Sequence, residues 1–243
     1  MGPIKRVVNR DIISPSSEEL NSMTLQVGLV GNDGIVLASD RLINDIEDSS
    51  RFPRFGCKFR CVNGVVCCHS GDFVAELGAR EVSRSSWDGK PVVQTLEDIG
   101  NGVFQYVETE YGPMSSGSAI RKVLCAIPES GLWLLNIARI SVVNPVRDRV
   151  ITGDVKNTAR YFFYKYAADC TTRPVAQLIP LAAYVILAAS EENRDGVGGL
   201  EVAIIPTGKD PIFLSGEQER ALERDSSAIR KYLGKRLLRP FAI

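Results

Sequence analysis

The chain has 243 residues, 44% of them hydrophobic, which is enough for one layered domain with a sizeable core. Its 29 basic and 29 acidic side chains cancel, removing the electrostatic footprint of a dedicated nucleic-acid or anionic-membrane binder. The single histidine, His69, excludes a metal site built on paired histidines, and no metal or other cofactor is expected.

Residues 1–23 are polar and irregular, with Lys5 and Arg6 but no apolar run after them, so they read as an N-terminal extension or pro-segment and not as a secretory signal. The first confident element is a hairpin over 23–40. Leu25, Val27 and Leu29 alternate with Gln26 and Gly28, Ile35 to Ala38 are apolar, and Gly31-Asn32-Asp33-Gly34 supplies residues tolerant of positive φ. With Asn32-Asp33 as a two-residue loop, residue i pairs with 65 − i. Thr24 then sits opposite Arg41 and diagonal to Asp40, about 5 Å across the strands.

A charged loop follows from Arg41 to Gly56. Lys58–Val62 and Val65–His69 form a second hairpin around Asn63-Gly64, and Ser70-Gly71-Asp72 opens a helix running to Arg84. Val92, Leu96, Ile99, Val103 and Tyr106 recur at helical spacing and predict an amphipathic helix with these residues as its apolar stripe. Strands resume at Lys122–Ile127, Leu132–Ile140 and Arg149–Thr152. Helices are expected near 156–168 and 174–192, closing strands at Leu200–Pro206 and Ile212–Leu214, and a charged helix from Glu217. The run Val175–Ser190 is too short for a membrane span and reads as a buried helix. This order predicts an α+β fold, two antiparallel sheets covered by helices in a four-layer αββα sandwich, with 1–23 as extension, 24–214 as the domain and 215–243 as a C-terminal helical extension.

The six cysteines contain no C-x-x-C pair, and Cys57, Cys61 and Cys67 fall in stretches that read as buried strand. They read as reduced core thiols of a cytoplasmic protein.

The glycines do not match a phosphate loop or a dinucleotide fingerprint. A Ser-His or Cys-His mechanism has only His69 as base, and His69 reads as a strand residue satisfied locally or lining a pocket. A hydroxyl nucleophile without histidine needs another base, and the α-amine of an N-terminal threonine serves, because its pKa lies near 8. Thr24 fits that scheme. Lys58 would depress the pKa of the hydroxyl, Asp40 would orient Lys58, and Gly71, at a strand-to-helix junction, offers an N–H to an oxyanion. The set is coherent but not unique, since a strand threonine and an edge lysine are also ordinary structural residues.

Taken in order, Thr24, Gly34 to Asp40, Lys58 to Val62, Ser70-Gly71-Asp72, Thr152-Gly153 and Arg194 to Gly199 resemble the β-type subunits of the proteasome core particle, members of the N-terminal nucleophile (Ntn) hydrolase superfamily. The resemblance spans about residues 24–214. It implies Thr24 as catalytic threonine, Asp40 and Lys58 as its charged partners, Gly71 as oxyanion-hole glycine, and Asp195 as support for the amino group. It also implies Ile43, His69 and Phe73 as walls of a specificity pocket for polypeptide substrates, and assembly of copies or related subunits into rings. The sequence departs from that pattern at Met23, where processed members carry glycine, and at Leu42, Asn44, Asp154 and Gly198. The function expected is a threonine-type endopeptidase active after pro-segment removal. The alternatives are a non-catalytic subunit of a ring assembly and an Ntn hydrolase acting on a small amide.

Overall fold

The computed structural model describes residues 24–43, 54–87, 89–114, 121–153, 157–193 and 197–237. The 1–23 segment lies outside them. In chain order the elements are β1 (Leu25–Val30), β2 (Gly34–Ser39), β3 (Leu42–Ile43), β4 (Arg54–Phe55), β5 (Phe59–Val62), β6 (Val65–Ser70), α1 (Phe73–Arg84) and α2 (Val92–Tyr111). There follow β7 (Lys122–Ile127), β8 (Gly131–Asn136), β9 (Val142–Val146), β10 (Arg149–Gly153), α3 (Asn157–Tyr166), α4 (Val175–Glu192), β11 (Glu201–Pro206), β12 (Ile212–Phe213) and α5 (Gly216–Leu237).

Among the described residues the strands form two five-stranded antiparallel sheets, ordered β10-β1-β2-β11-β12 and β5-β6-β7-β8-β9, with β3-β4 as a separate pair. Leu25, Val27 and Leu29 face the helical side of the first sheet, where they bury against Phe163, Leu178 and Ile186. Val65, Cys67 and Val123 pack under α1 and α2 with Leu96 and Val107. Between the sheets lie Leu37, Phe59, Val66, Leu124 and Ala203. Each fully buried aliphatic side chain contributes about 1.5–3 kcal/mol. The predicted αββα sandwich is the fold observed.

Helix α4 runs on to Glu192, beyond the apolar run Val175–Ser190, and so is by length and composition alone long and apolar enough to cross a membrane, against the expectation that it is too short. Here its apolar surface is covered by β1, β2 and β11 on one side and by α3 and α5 on the others.

The first hairpin has the predicted register, with Gln26 opposite Ser39 and Val30 opposite Ile35. Its loop works differently from expectation, because neither Asn32 nor Asp33 takes a positive φ. The loop docks instead on the start of α4: Val175 N–H donates to Asp33 Oδ1 at 2.7 Å, and Asn32 Nδ2 to the Thr172 carbonyl at 3.1 Å. In the second hairpin Asn63 and Gly64 do take positive φ, 51° and 79°, as a tight turn matched to strand twist requires.

Four further expectations are corrected. The stretch from Arg41 to Gly56, expected as a loop, begins and ends in the short antiparallel pair β3–β4, with Leu42 opposite Phe55 and Ile43 opposite Arg54. The Leu132–Ile140 stretch is not one strand: it ends at Asn136, turns, and returns as β9, with Asn136 opposite Val142 and Ile140 exposed at the turn. The apolar stripe of α2 is rotated, with Leu96, Gly100, Val103, Phe104 and Val107 buried and Tyr106 half exposed. Gly100 carries the rotation, since its bare Cα allows Ser141 to approach where a Cβ would stand 2.5 Å from the Ser141 hydroxyl. Finally, Cys57 and Cys61 are exposed, while Cys67, Cys68, Cys125 and Cys170 are buried. Cys61 lies on β5, an outer strand of its sheet, near its solvent end.

Candidate active site

Thr24 immediately precedes β1, Asp40 follows β2, and Lys58 precedes β5 of the other sheet. The hairpin register brings the first two together: Asp40 N–H donates to the Leu25 carbonyl at 3.1 Å, and Leu25 N–H returns a bond to Asp40 Oδ1 at 2.8 Å. Leu42 N–H donates to Asp40 Oδ2 at 3.1 Å. Lys58 then reaches across from the second sheet. Its Nζ donates to Asp40 Oδ2 at 2.9 Å and to Thr24 Oγ1 at 3.0 Å. All three residues are buried, Thr24 at 4%, Asp40 at 0% and Lys58 at 3% exposure.

Burial pushes the Asp40 carboxyl up, against the pull of Lys58 and the two backbone N–H bonds, and pushes the Lys58 ammonium down, against the pull of Asp40. A lysine with a lowered pKa that touches a hydroxyl oxygen favours loss of the hydroxyl proton and stabilises the resulting alkoxide.

Gly153 holds the Thr24 backbone in place. It pairs with Leu25 across β10 and β1, has φ +104°, and sits so close that a Cβ would overlap the Thr24 carbonyl oxygen. Gly153→Ala is therefore expected to cost at least about 2 kcal/mol of unfolding free energy, read by urea denaturation.

Gly71 stands at the junction of β6 and α1 with φ +126°. Asp72 caps that helix through Val74 N–H at 3.0 Å and is itself held by Arg121 Nε at 2.7 Å. By register Lys58 falls opposite His69, so Gly71 lies at the same end of the sheets as the triad.

The remaining predicted residues are more dispersed. Asp195 lies outside the described residues, as does the side chain of Ile43, whose backbone pairs with Arg54. Phe73, half exposed at the first turn of α1, makes an edge contact with Tyr111 at 5.5 Å between ring centres and lines a cleft of about 280 Å³ with Arg80 and Tyr106. Roomier clefts of about 700 Å³ lie elsewhere, one of them against the turns at Gly31, Asn63 and Thr207. Among the described residues they gather no buried ionisable pair like Lys58–Asp40, which makes the Thr24, Asp40 and Lys58 cluster the candidate site.

His69 is partly buried, with Nδ1 unpartnered among the described residues. Burial, opposed by Glu76 and assisted by Lys58 and Arg60, pushes its pKa from 6.5 down to about 4. The folded chain thus keeps a neutral imidazole where the unfolded chain protonates. Stability from this group is complete above pH 6.5 and lost as pH falls from 6.5 to 4, about 2–3 kcal/mol in all. Urea denaturation of wild type and His69→Asn at pH 7 and pH 4 checks this, the variant being the less acid-sensitive by that amount.

One polar contact of the site has no counterpart among the predicted residues. Glu201, at the start of β11, accepts the Lys58 backbone N–H at 3.0 Å and so ties the first sheet to the lysine's own backbone. A carboxylate opening an otherwise apolar strand was the signal for it.

No protein-family model matches the chain, and no curated protein matches it. Among solved structures the αββα sandwich of this chain is shared by proteasome-like Ntn hydrolases. Anbu (ancestral beta-subunit) from Yersinia bercovieri superposes with a TM-score of 0.64 at 13% identity over 90% of this chain and 98% of that one. A helical assembly of the Anbu complex from Pseudomonas aeruginosa gives 0.62 at 16% identity over 90% and 98%. Anbu from Hyphomicrobium sp. strain MC1 gives 0.59 at 14% over 90% and 100%.

These neighbours correct the resemblance drawn from sequence. They are proteasome-like, but they form an Ntn-hydrolase family distinct from the β-type subunits of the proteasome core particle. At 13–16% identity the likeness is one of fold, and a fold shared by several branches does not say which of them the residues behind that resemblance belong to.

Proposed function

We propose that this chain is a self-assembling threonine-type amide hydrolase of the Ntn class that acts on peptide bonds once residues 1–23 are removed. The observation that carries the reading is the position of Lys58 Nζ, within hydrogen-bond distance of both Thr24 Oγ1 and Asp40 Oδ2 in a buried setting. The freed α-amine of Thr24 takes the hydroxyl proton, the oxygen attacks the peptide carbonyl, and Lys58 stabilises the alkoxide. The N–H of Gly71, at the positive end of α1, faces the developing oxyanion, and Asp195 supports the amine. Ile43, His69 and Phe73 contribute to side-chain selection. The tetrahedral adduct collapses with cleavage of the C–N bond, the departing amine taking the proton held by the α-ammonium. Water, giving its proton to the freed α-amine, then attacks the ester, and release of the acid returns that proton to Thr24 Oγ1.

Self-assembly is proposed because one structural neighbour, the Anbu complex, forms a helical assembly. A second reading, a non-catalytic subunit, draws on the same contact, since the Lys58–Asp40 pair also fastens the first hairpin to the second sheet. The two part on one experiment. A chain carrying an inserted protease site, cut so that it begins at Thr24, gains hydrolysis of short peptides that the uncut chain lacks. No gain after complete cutting of a folded, assembled chain supports the non-catalytic reading instead. A monomer that hydrolyses only small amides would overturn the peptide substrate.

A further inference from the structure

Two residues beyond Thr24, Gln26 is 0% exposed, and neither its amide nitrogen nor its amide oxygen has a hydrogen-bond partner among the described residues. Register sets it directly between Thr152 of β10 and Ser39 of β2. All three belong to the face turned toward the second sheet. Gly28, next in the same alternation, shows this, because a Cβ there would meet Leu124 and Leu132 of that sheet.

Ser39 is already engaged with the carbonyls of Leu25 and Asp40. Thr152 is not: it is 2% exposed and its Oγ1 is unpartnered among the described residues. Ser70, at the end of β6, is 1% exposed and presents another unpartnered hydroxyl. It continues the alternation of Val66 and Cys68, which line the space between the sheets. Two hydroxyls and a carboxamide, each without a partner among the described residues, therefore face the intersheet space near the end that holds Thr24. Protein interiors satisfy such groups with internal water held by two to four polar partners.

Lys58 supplies a reason for water at this place. Its ammonium has three N–H bonds, and two go to Thr24 Oγ1 and Asp40 Oδ2. Residues two apart on one face of a strand are about 6.6 Å apart. Gln26 makes no direct bond to Lys58, and that backbone spacing is one a single bridging water can close.

We propose that Gln26, Thr152 and Ser70 hold an internal water that accepts the remaining N–H of Lys58, which makes Gln26 a positioning residue for the Thr24–Lys58 pair. The water site rests on burial and register alone. Its effect on rate rests on the peptidase reading of Thr24.

Two measurements test the two parts separately. In the full-length chain labelled with 15N-glutamine, the Gln26 side-chain amide, assigned by its loss in Gln26→Met, shows cross-relaxation with a long-lived water. Thr152→Val weakens that transfer several-fold. Absence of the transfer in the folded wild-type chain overturns the water site, whatever the protein catalyses. In the chain cut to begin at Thr24, Gln26→Met removes a hydrogen bond to the ammonium and lowers the alkaline limb of the kcat profile by about one pH unit. The limb set by the amine stays in place, and KM changes less than about twofold.

Thr152→Val moves the alkaline limb the same way, and the double variant moves it no further. Variants that fold less stably yet leave both limbs unmoved show a packing role only and overturn the positioning role. Should the cut wild-type chain hydrolyse nothing, the peptidase reading and the positioning role fall together, and the water site stands or falls on the cross-relaxation.

Discussion

Thr24→Ala, in a chain cut to begin at residue 24, is expected to reduce peptide hydrolysis by at least about 10⁴-fold while leaving the fold intact. The substitution removes the hydroxyl that receives Lys58 and little else, since the Thr24 backbone stays fixed between Leu25–Asp40 bonding on one side and Gly153 on the other. The loss of one buried hydrogen bond costs about 1–2 kcal/mol, well within what the three buried clusters support. Thr24→Ser keeps the oxygen and should retain measurable hydrolysis. Activity that survives Thr24→Ala in the cut chain would move the nucleophile elsewhere, and a variant that fails to fold is recognised by its lost far-ultraviolet dichroism.

The second large effect concerns stability, and it separates the ion pair's structural part from its chemical part. Lys58→Met leaves the carboxylate of Asp40 at 0% exposure with its ammonium partner gone, and is expected to cost about 3–5 kcal/mol of unfolding free energy. Asp40 cannot relax into solvent, because its two oxygens are held by Leu25 and Leu42 N–H. Adding Asp40→Asn removes the stranded charge while keeping an acceptor for one of those N–H groups. The double variant should therefore recover at least about 2 kcal/mol relative to Lys58→Met alone. Hydrolysis stays lost in both, because neither contains the ammonium on Thr24 Oγ1. Urea denaturation and a peptide assay on the same samples check the pair of statements. Equal stability of the single and double variants would show that the buried charge is not the source of the cost.

Much of this site was legible because it is local. The Asn32-Asp33 loop and the flanking alternation set the register, and the register alone brings Thr24 beside Asp40. Lys58 was legible for a related reason: the Asn63-Gly64 turn fixes where β5 begins, and the lysine precedes it. What escaped sequence reasoning was non-local. Gln26 occupies the polar half of a strand alternation, which ordinarily marks a solvent face, yet it is fully buried because a second sheet covers that face. Thr152 and Ser70 are hidden for the same cause, and Glu201 meets Lys58 across 143 positions. The α2 stripe failed at Tyr106 because a close approach at Gly100, invisible to hydrophobic periodicity, set the helix's rotation. The family-level assignment failed differently, since the motif residues report the chemistry of the fold and not the branch that uses it.

Whether Thr24 becomes an N-terminal nucleophile is read from the intact mass of the assembled, purified protein. The expected mass is that of a chain shortened by residues 1–23, beginning at Thr24, with Thr24→Ala keeping its full length if the cut is made by the chain itself. A wild-type chain that assembles, stays full length, and gains no hydrolysis when the segment is removed by an added protease would contradict that role for Thr24.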